Sequence, residues 1–313
     1  MISMRYHIIS LAAAFLALAL GIVLGATKIN SPLLAGLQGD TQTLTQQRDQ
    51  LQTENTALAA DAVAAEKMAE SLGDIAVRGV FQPNPAVVLI TTADANSADR
   101  DAVLALLGKA GAPVATQIQL TSDFTDPSRS QELRTVLTST LPAGQTLPEV
   151  DDPGTLAGAF LSLLVVGDET GSSKATADQV STAFTALSTG GFVRVTGTPA
   201  AGRLVIVLTG GELTGGSEGD RAAMIAAMAS QLKLTAGGVV LAGRQGSEAA
   251  TAGSVGVVRS DTADSAAVTT VDDVDLASGR LATVLGLAEQ DGGGVGRYGV
   301  ADTAEARVPT LRT

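Results

Sequence analysis

The chain has 313 residues, of which 45% are hydrophobic and 17% charged, with a formal net charge of −12 and no cysteine. Such a chain holds ample apolar material for a core, while its acidic excess opposes nucleic acid and anionic lipid surfaces, both of which attract lysine and arginine. The missing cysteines exclude disulfides, thiolate nucleophiles and cysteine metal sites, and 3% aromatic residues without tryptophan leave few rings for stacking on bases or sugars.

The first element is apolar. From Ile8 to Thr27 the chain carries no charge for twenty residues, which as a helix spans roughly 30 Å, the thickness of a bilayer core. A cleaved signal peptide is the rival, but its apolar region usually runs about 7–15 residues, and no A-x-A site follows. The reading is a retained single-pass anchor over 8–29 behind a cytoplasmic tail, 1–7. Arg5 and the amino terminus lie on one side and only Lys28 precedes Arg48 on the other, so the charge bias puts the tail inside and the bulk of the chain in a periplasm-like space. Ala13, Ala17, Gly21 and Gly25 recur every four residues and offer a small-residue face on which two such helices could pair.

A second helix is expected to open at Ser31, with Pro32 at its first position. Leu37, Leu44, Leu51 and Leu58 then share one heptad position, while Asn55 sits on the other seam position with Arg48 and Thr41. A leucine layer beside a polar-interrupted layer describes a two-stranded coiled coil; a helix lying on its own domain is the alternative. The stalk covers 31–73, a length of roughly 60 Å, and pairs with a second copy or with a partner helix.

Past Gly73, Gly79, Pro83 and Pro85 the periodicity changes, and a domain is expected over 85–300 with a flexible tail, 301–313. "AVVLITT" reads as a buried strand, "SADRDAVLALLGKAG" as a helix capped by Ser97, and "PVATQIQL" as the next strand, a βαβ unit. Helices follow over 128–140, 155–166 and 175–188, the middle one a buried core helix. "FVRVTG" and "RLVIVLTGG" are strands, "DRAAMIAAMASQLKL" a helix capped at Asp220, and "GGVVLAGR", "SVGVVRS" and "VTTVDDVD" strand-like runs before a last helix in "SGRLATVLGLAEQ". The fold class is therefore α/β: a transmembrane helix and a dimeric coiled coil, then a doubly wound, mainly parallel-sheet extracytoplasmic domain.

Enzymatic signals are sparse. The one histidine, His7, lies at the membrane, so the outer domain has no imidazole for a base, a triad or zinc. "TGGELTGGSEGD" lacks the lysine of a P-loop and the spacing of a dinucleotide loop and reads as a loop needing room. "DGGGVGRYG" follows a helix and reads as a turn that packs Tyr298. Asp272, Asp273 and Asp275 are weak candidates for a hard cation; capping of the last helix by Asp275 and Ser278, or pairing with Arg280, is the preferred reading. Met224 and Met228, one helical turn apart, read as core rather than as a Cu(I) pair. No catalytic residue or cofactor is assigned, and no enzyme activity is expected.

The opening "MISMRYHIISLAAAFLALALGIVLGA", the heptads, and "VVLAGRQGS", "TVDDVDLASGR" and "GGGVGRYG" together resemble the actinobacterial MctB/SteB family over nearly the whole chain. The resemblance implies one of two functions. One is control of cell separation, in which an anchored adaptor works with a SteA-like membrane protein and an NlpC/P60-type peptidoglycan hydrolase. The other is copper transport, attributed to an outer-membrane channel. Copper favours sulfur and imidazole ligands, which are scarce here, and a barrel needs many strands of about 9–11 residues. The adaptor is therefore the primary expectation and copper transport the alternative.

Overall fold

The computed structural model describes residues 4–168 and 171–310, excluding the side chains of residues 26–38. The chain divides into two units, Met1–Ala64 and Ala65–Thr313.

Helix α1, Met4–Ala76, supplies the first unit and also enters the second. Its segment Met4–Gly25, 22 residues with a mean hydropathy of 2.6 and none of it buried, has the length and composition to cross a membrane and fits an anchor. The helix continues through Ser31 and Pro32, so the new helix start expected there is corrected. A proline removes a single ladder hydrogen bond, and α1 carries many turns on either side of it.

The second unit is built on a seven-stranded sheet in the order β3-β2-β1-β4-β5-β6-β7. Its strands are β1 (Val87–Thr91), β2 (Val114–Leu120), β3 (Val193–Thr196), β4 (Leu204–Leu208), β5 (Gly238–Ala242), β6 (Thr269–Val271) and β7 (Arg297–Tyr298). Only β3 runs antiparallel to its neighbour. The helices between them are α2 (Ser97–Ala110), α3 (Ser130–Ser139), α4 (Pro153–Val165), α5 (Ala177–Thr189), α6 (Glu218–Lys233), α7 (Ser254–Ser260), α8 (Thr262–Ala267) and α9 (Ala277–Asp291).

The period-two geometry of strands sorts their side chains into two apolar layers. Val87 and Leu89 of β1, with Leu204 and Ile206 of β4, enter a layer completed by Val103 and Leu107 of α2, Ala282 and Leu285 of α9, and Val77 and Phe81 beyond the end of α1. Val88, Ile90, Val205 and Val207 enter the opposite layer, formed with α3 to α7. This is the doubly wound, mainly parallel architecture expected.

Helix α4 is the buried helix anticipated over 155–166. Asp152 accepts from the Thr155 amide at 2.5 Å and Pro153 occupies the first turn, which fixes its start. Gly154 and Gly158 face α6: a Cβ on Gly158 would lie 2.7 Å from the Met228 carbonyl oxygen and 2.8 Å from Gln231 Cβ, and one on Gly154 would collide with the Met224 backbone. Two glycines one turn apart thus let the two helix backbones approach closely.

Several local expectations are corrected. "SVGVVRS" is α7, not a strand; its valines suit either structure, but Val255 and Val258 turn inward at helical spacing. Asn96, not Ser97, caps α2 by accepting from the Ala98 amide at 2.8 Å. Helix α6 begins after Ser217, whose side chain makes no cap, and not at Asp220. The tail expected to be loose from residue 301 packs back over its described part. Glu305 donates its amide to the Arg297 carbonyl at 2.7 Å, Gly299 donates to Ala306 at 3.0 Å, and Arg297 pairs with the Glu305 carboxylate at 2.6 Å.

A buried ion pair anchors that return. Asp272, at the end of β6, receives Arg259 Nη1 at 2.5 Å, with their side chains 0% and 3% exposed, and also accepts from the amides of Val300 at 2.7 Å and Ala301 at 3.2 Å. Arg259 further donates to the Tyr298 carbonyl at 2.8 Å and the Thr303 hydroxyl at 2.9 Å.

Two stability outcomes are expected for the full chain in detergent, read from urea midpoints. Gly158→Ala lowers stability by about 1–3 kcal/mol, because the added methyl meets backbone that can yield only by separating α4 from α6; an unchanged midpoint would show that the contact is loose. Asp272→Ala costs about 3–5 kcal/mol, since it strands a buried guanidinium, whereas Asp302→Ala at an exposed position stays within about 0.5 kcal/mol. Equal effects from the two aspartates would refute the anchoring role.

Candidate functional site

Three places could carry function: the exposed face of α1, the crevice at the carboxyl ends of β1 and β4, and the acidic edge beyond β6. On α1, Leu44, Leu51 and Leu58 are 59–66% exposed, and Leu44 and Leu51, with Asn55, Arg48, Gln52 and Ala59, line a shallow strip. Arg48 turns onto its neighbour Asp49 at 2.6 Å, so its charge is engaged along the helix itself. An exposed apolar stripe at heptad spacing is a surface that a second helix could cover. Leu37, expected on the same stripe, lies outside the described residues. Ala13, Ala17 and Gly21 are exposed in the apolar segment, and a side-chain carbon added at Gly21 or Gly25 would meet nothing.

The strand order reverses between β1 and β4, the location where open α/β sheets usually bind ligands. Here the loops after β1 and β4 are tied to each other. Thr92 donates its hydroxyl to Asp94 at 2.6 Å, and the Gly210 amide donates to the same carboxylate at 3.0 Å. Gly210 is required by this approach, because a Cβ there would lie 2.8 Å from the Asp94 carbonyl oxygen. The glycine-rich loop after β4 therefore makes room for the Asp94 carboxylate, a solvent-exposed group, with Thr121, Thr125, Thr209 and Arg221 around it.

The three aspartates beyond β6 turn to different partners. Asp272 is committed to Arg259 and the returning tail. Asp275 accepts from the Gln245 amide and side chain, each at 3.1 Å; its expected role as cap of α9 is thereby corrected. Arg280 reaches the Asp275 carbonyl oxygen at 3.4 Å and the carboxylate of Asp99 at 3.7 Å, so its ion pair is with a residue that sequence reasoning did not single out. Buried Asp99 also faces Arg244 Nε at 3.1 Å, and burial raises its pKa against the pull of those two cations.

Asp273 is fully buried. Desolvation first, and then the neighbouring Asp272, push its pKa to about 7. Its Oδ2 lies 3.3 Å from Ser278 Oγ, and its Oδ1 has no hydrogen-bonding partner. Ser278 does not cap α9 either: the N-cap residue is Leu276, which has no side-chain cap. The first turn is instead capped by Glu66, from the last turns of α1, which accepts from the Ala277 amide at 2.6 Å and from Ser278 Oγ at 2.7 Å. Nothing local in the sequence signals a cap from 211 residues away. Met224 and Met228 are buried in the core, as expected. Among the described residues no group of three or more histidine, cysteine, aspartate or glutamate side chains is placed to hold a metal ion.

Comparisons with known proteins agree over nearly the full length. The family described as "Copper transport outer membrane protein, MctB" matches residues 1–309. A protein named Copper transporter MctB from Mycobacterium tuberculosis is 34% identical over 310 residues, covering 97% of this chain and 98% of the relative, and the Mycobacterium bovis protein of that name matches equally. The Mycobacterium leprae protein of that name is 34% identical over 313 residues at the same coverage. These names are those of transport proteins and not of enzymes, and they favour the copper alternative over the cell-separation adaptor, which they do not support. With the family match spanning both the apolar helix and the α/β unit, the chain belongs to the MctB family of envelope proteins.

Proposed function

We propose that this chain serves copper transport at the cell envelope as a membrane-tethered, self-paired protein that acts through its surfaces and neither forms a pore nor holds copper in its head. The family match over residues 1–309 carries the reading. Three features support its form. The open sheet, with described strands of two to seven residues, has helices over both faces and is unlike a membrane barrel. Of the five methionines, Met224 and Met228 are sealed in the core, while Met4 and Met68 are exposed on α1, so the head presents no open set of soft donors for Cu(I). The leucine strip of α1 gains most by burial against a second copy, with the small-residue face of the apolar segment reinforcing that pairing. The amino terminus lies inside and the α/β unit outside, by the charge bias around the span.

The same open strip favours one second reading. A helix of another protein could occupy it, and an NlpC/P60-type hydrolase acting with a SteA-like membrane protein would then make this chain a cell-separation adaptor.

The test uses the full chain in detergent, with Cu(I) competed against a chromophoric chelator and molar mass followed by light scattering. A dimer without stoichiometric tight copper is expected, and Leu51→Asp with Leu58→Asp should halve the mass and lose the ability to restore copper tolerance to a strain lacking the gene. A double variant that stays dimeric and restores tolerance would defeat the proposal. Tight one-to-one copper binding by the wild type would make the chain a copper carrier. Dimer-independent binding of a hydrolase helix, with copper tolerance unchanged by the gene's loss, would put the adaptor first.

A further inference from the structure

The junction of α1 with α9 contains two carboxyl groups joined through one hydroxyl. Glu66 Oε1 is 2.7 Å and Asp273 Oδ2 3.3 Å from Ser278 Oγ. A serine hydroxyl has a single proton to donate. When that proton goes to Glu66, the contact with Asp273 is a hydrogen bond only if Asp273 supplies a proton of its own. The other Asp273 oxygen is buried and unpartnered, an arrangement costly for a carboxylate and tolerable for a neutral acid. Glu66 meanwhile has a clear use for its charge: it takes the free amides of Ala277 and Ser278 at the positive end of a 15-residue helix.

We infer that a proton held on Asp273 completes a chain, Asp273 to Ser278 to Glu66, that latches the last turns of α1 onto the start of α9. Loss of that proton leaves two anions sharing one hydroxyl and loosens the latch. The surrounding charges agree. Asp272 stands beside Asp273 with its charge engaged by Arg259, Glu66 adds a second negative field, and Arg307 from the returning tail opposes both. Arg280 and Asp275, on the α9 side, are engaged with Asp99 and Gln245.

The sign follows from linkage. The value for Asp273 in the folded chain, about 7, exceeds its ordinary 3.8, so folding takes up a proton. Its contribution to stability is full below the unfolded value, declines as pH rises towards about 7, and is flat above.

Hydrogen exchange of the peptide containing Ala277 and Ser278, in the full chain in detergent and corrected for intrinsic rate, tests the latch between pH 5.5 and 8.5. Protection in the wild type should fall about tenfold or more through neutral pH. Asp273→Asn, which keeps a neutral donor, should hold protection at every pH, and Glu66→Ala should lose it at every pH. At pH 6 the infrared difference between wild type and Asp273→Asn should contain the carbonyl band of a protonated carboxylic acid. PH-independent protection in the wild type, or absence of that band, would overturn the inference. So would recovery of protection at pH 8.5 on adding Ca²⁺, because the two carboxylates would then hold a cation in place of the proton.

Discussion

A parallel sheet has two apolar faces, and both must be covered before it is stable in water. That constraint organises the second unit. Val87 and Val88 are adjacent in sequence yet belong to opposite layers, so each strand secures two sets of helices at once. The larger layer, with five helices, needs α4 pressed against α6 without intervening side chains, which explains Gly154 and Gly158. The smaller layer recruits Val77 and Phe81 from the exit of α1. Its last turns are therefore part of the core-bearing unit, and the unit boundary falls at Ala65 and not at the helix end.

Legibility in the sequence followed the range of the interactions. The runs "VVLIT" and "LVIVL" announce central strands because every residue in them is buried; the buried helix at α4 is equally plain from its apolar run. Misreadings arose where a distant group decided the outcome. Helix α7 is a valine-rich segment that period and propensity cannot separate from a strand. The cap of α9 is Glu66, placed by folding and invisible to any local rule, whereas Asp275 and Ser278 sat in the right place and took other partners. Likewise Asp94, unremarkable in sequence, ties the loop after β1 to Gly210 after β4, where the fold class leads one to expect a ligand.

The motifs that carry the family resemblance divide along the same line. "TVDDVDLASGR" and "GGGVGRYG" meet around Asp272, where one carboxylate gathers Arg259 and two backbone amides of the returning tail. Their shared work is to close the far edge of the sheet, a structural role that leaves the acidic run without free oxygens converging on one cation. Asp273 stays outside that arrangement, and burial, with the neighbouring charge of Asp272, raises its pKa to about 7.

Copper transport has to be reconciled with these facts. A soft ion is held by sulfur or imidazole, and the head keeps its two methionines inside a core layer that also contains Phe160 and Leu164. Exposing them would separate α6 from α4 and sacrifice the packing that the paired glycines make possible. The two buried methionines therefore offer a soft ion no accessible sulfur in the head without that cost. Among its surfaces, the leucine strip of α1 is an apolar one whose burial the hydrophobic effect would favour. An α/β unit with helices over both sheet faces and its β7 edge closed by the returning tail is suited to a constant shape, the condition under which rigid-body recognition works.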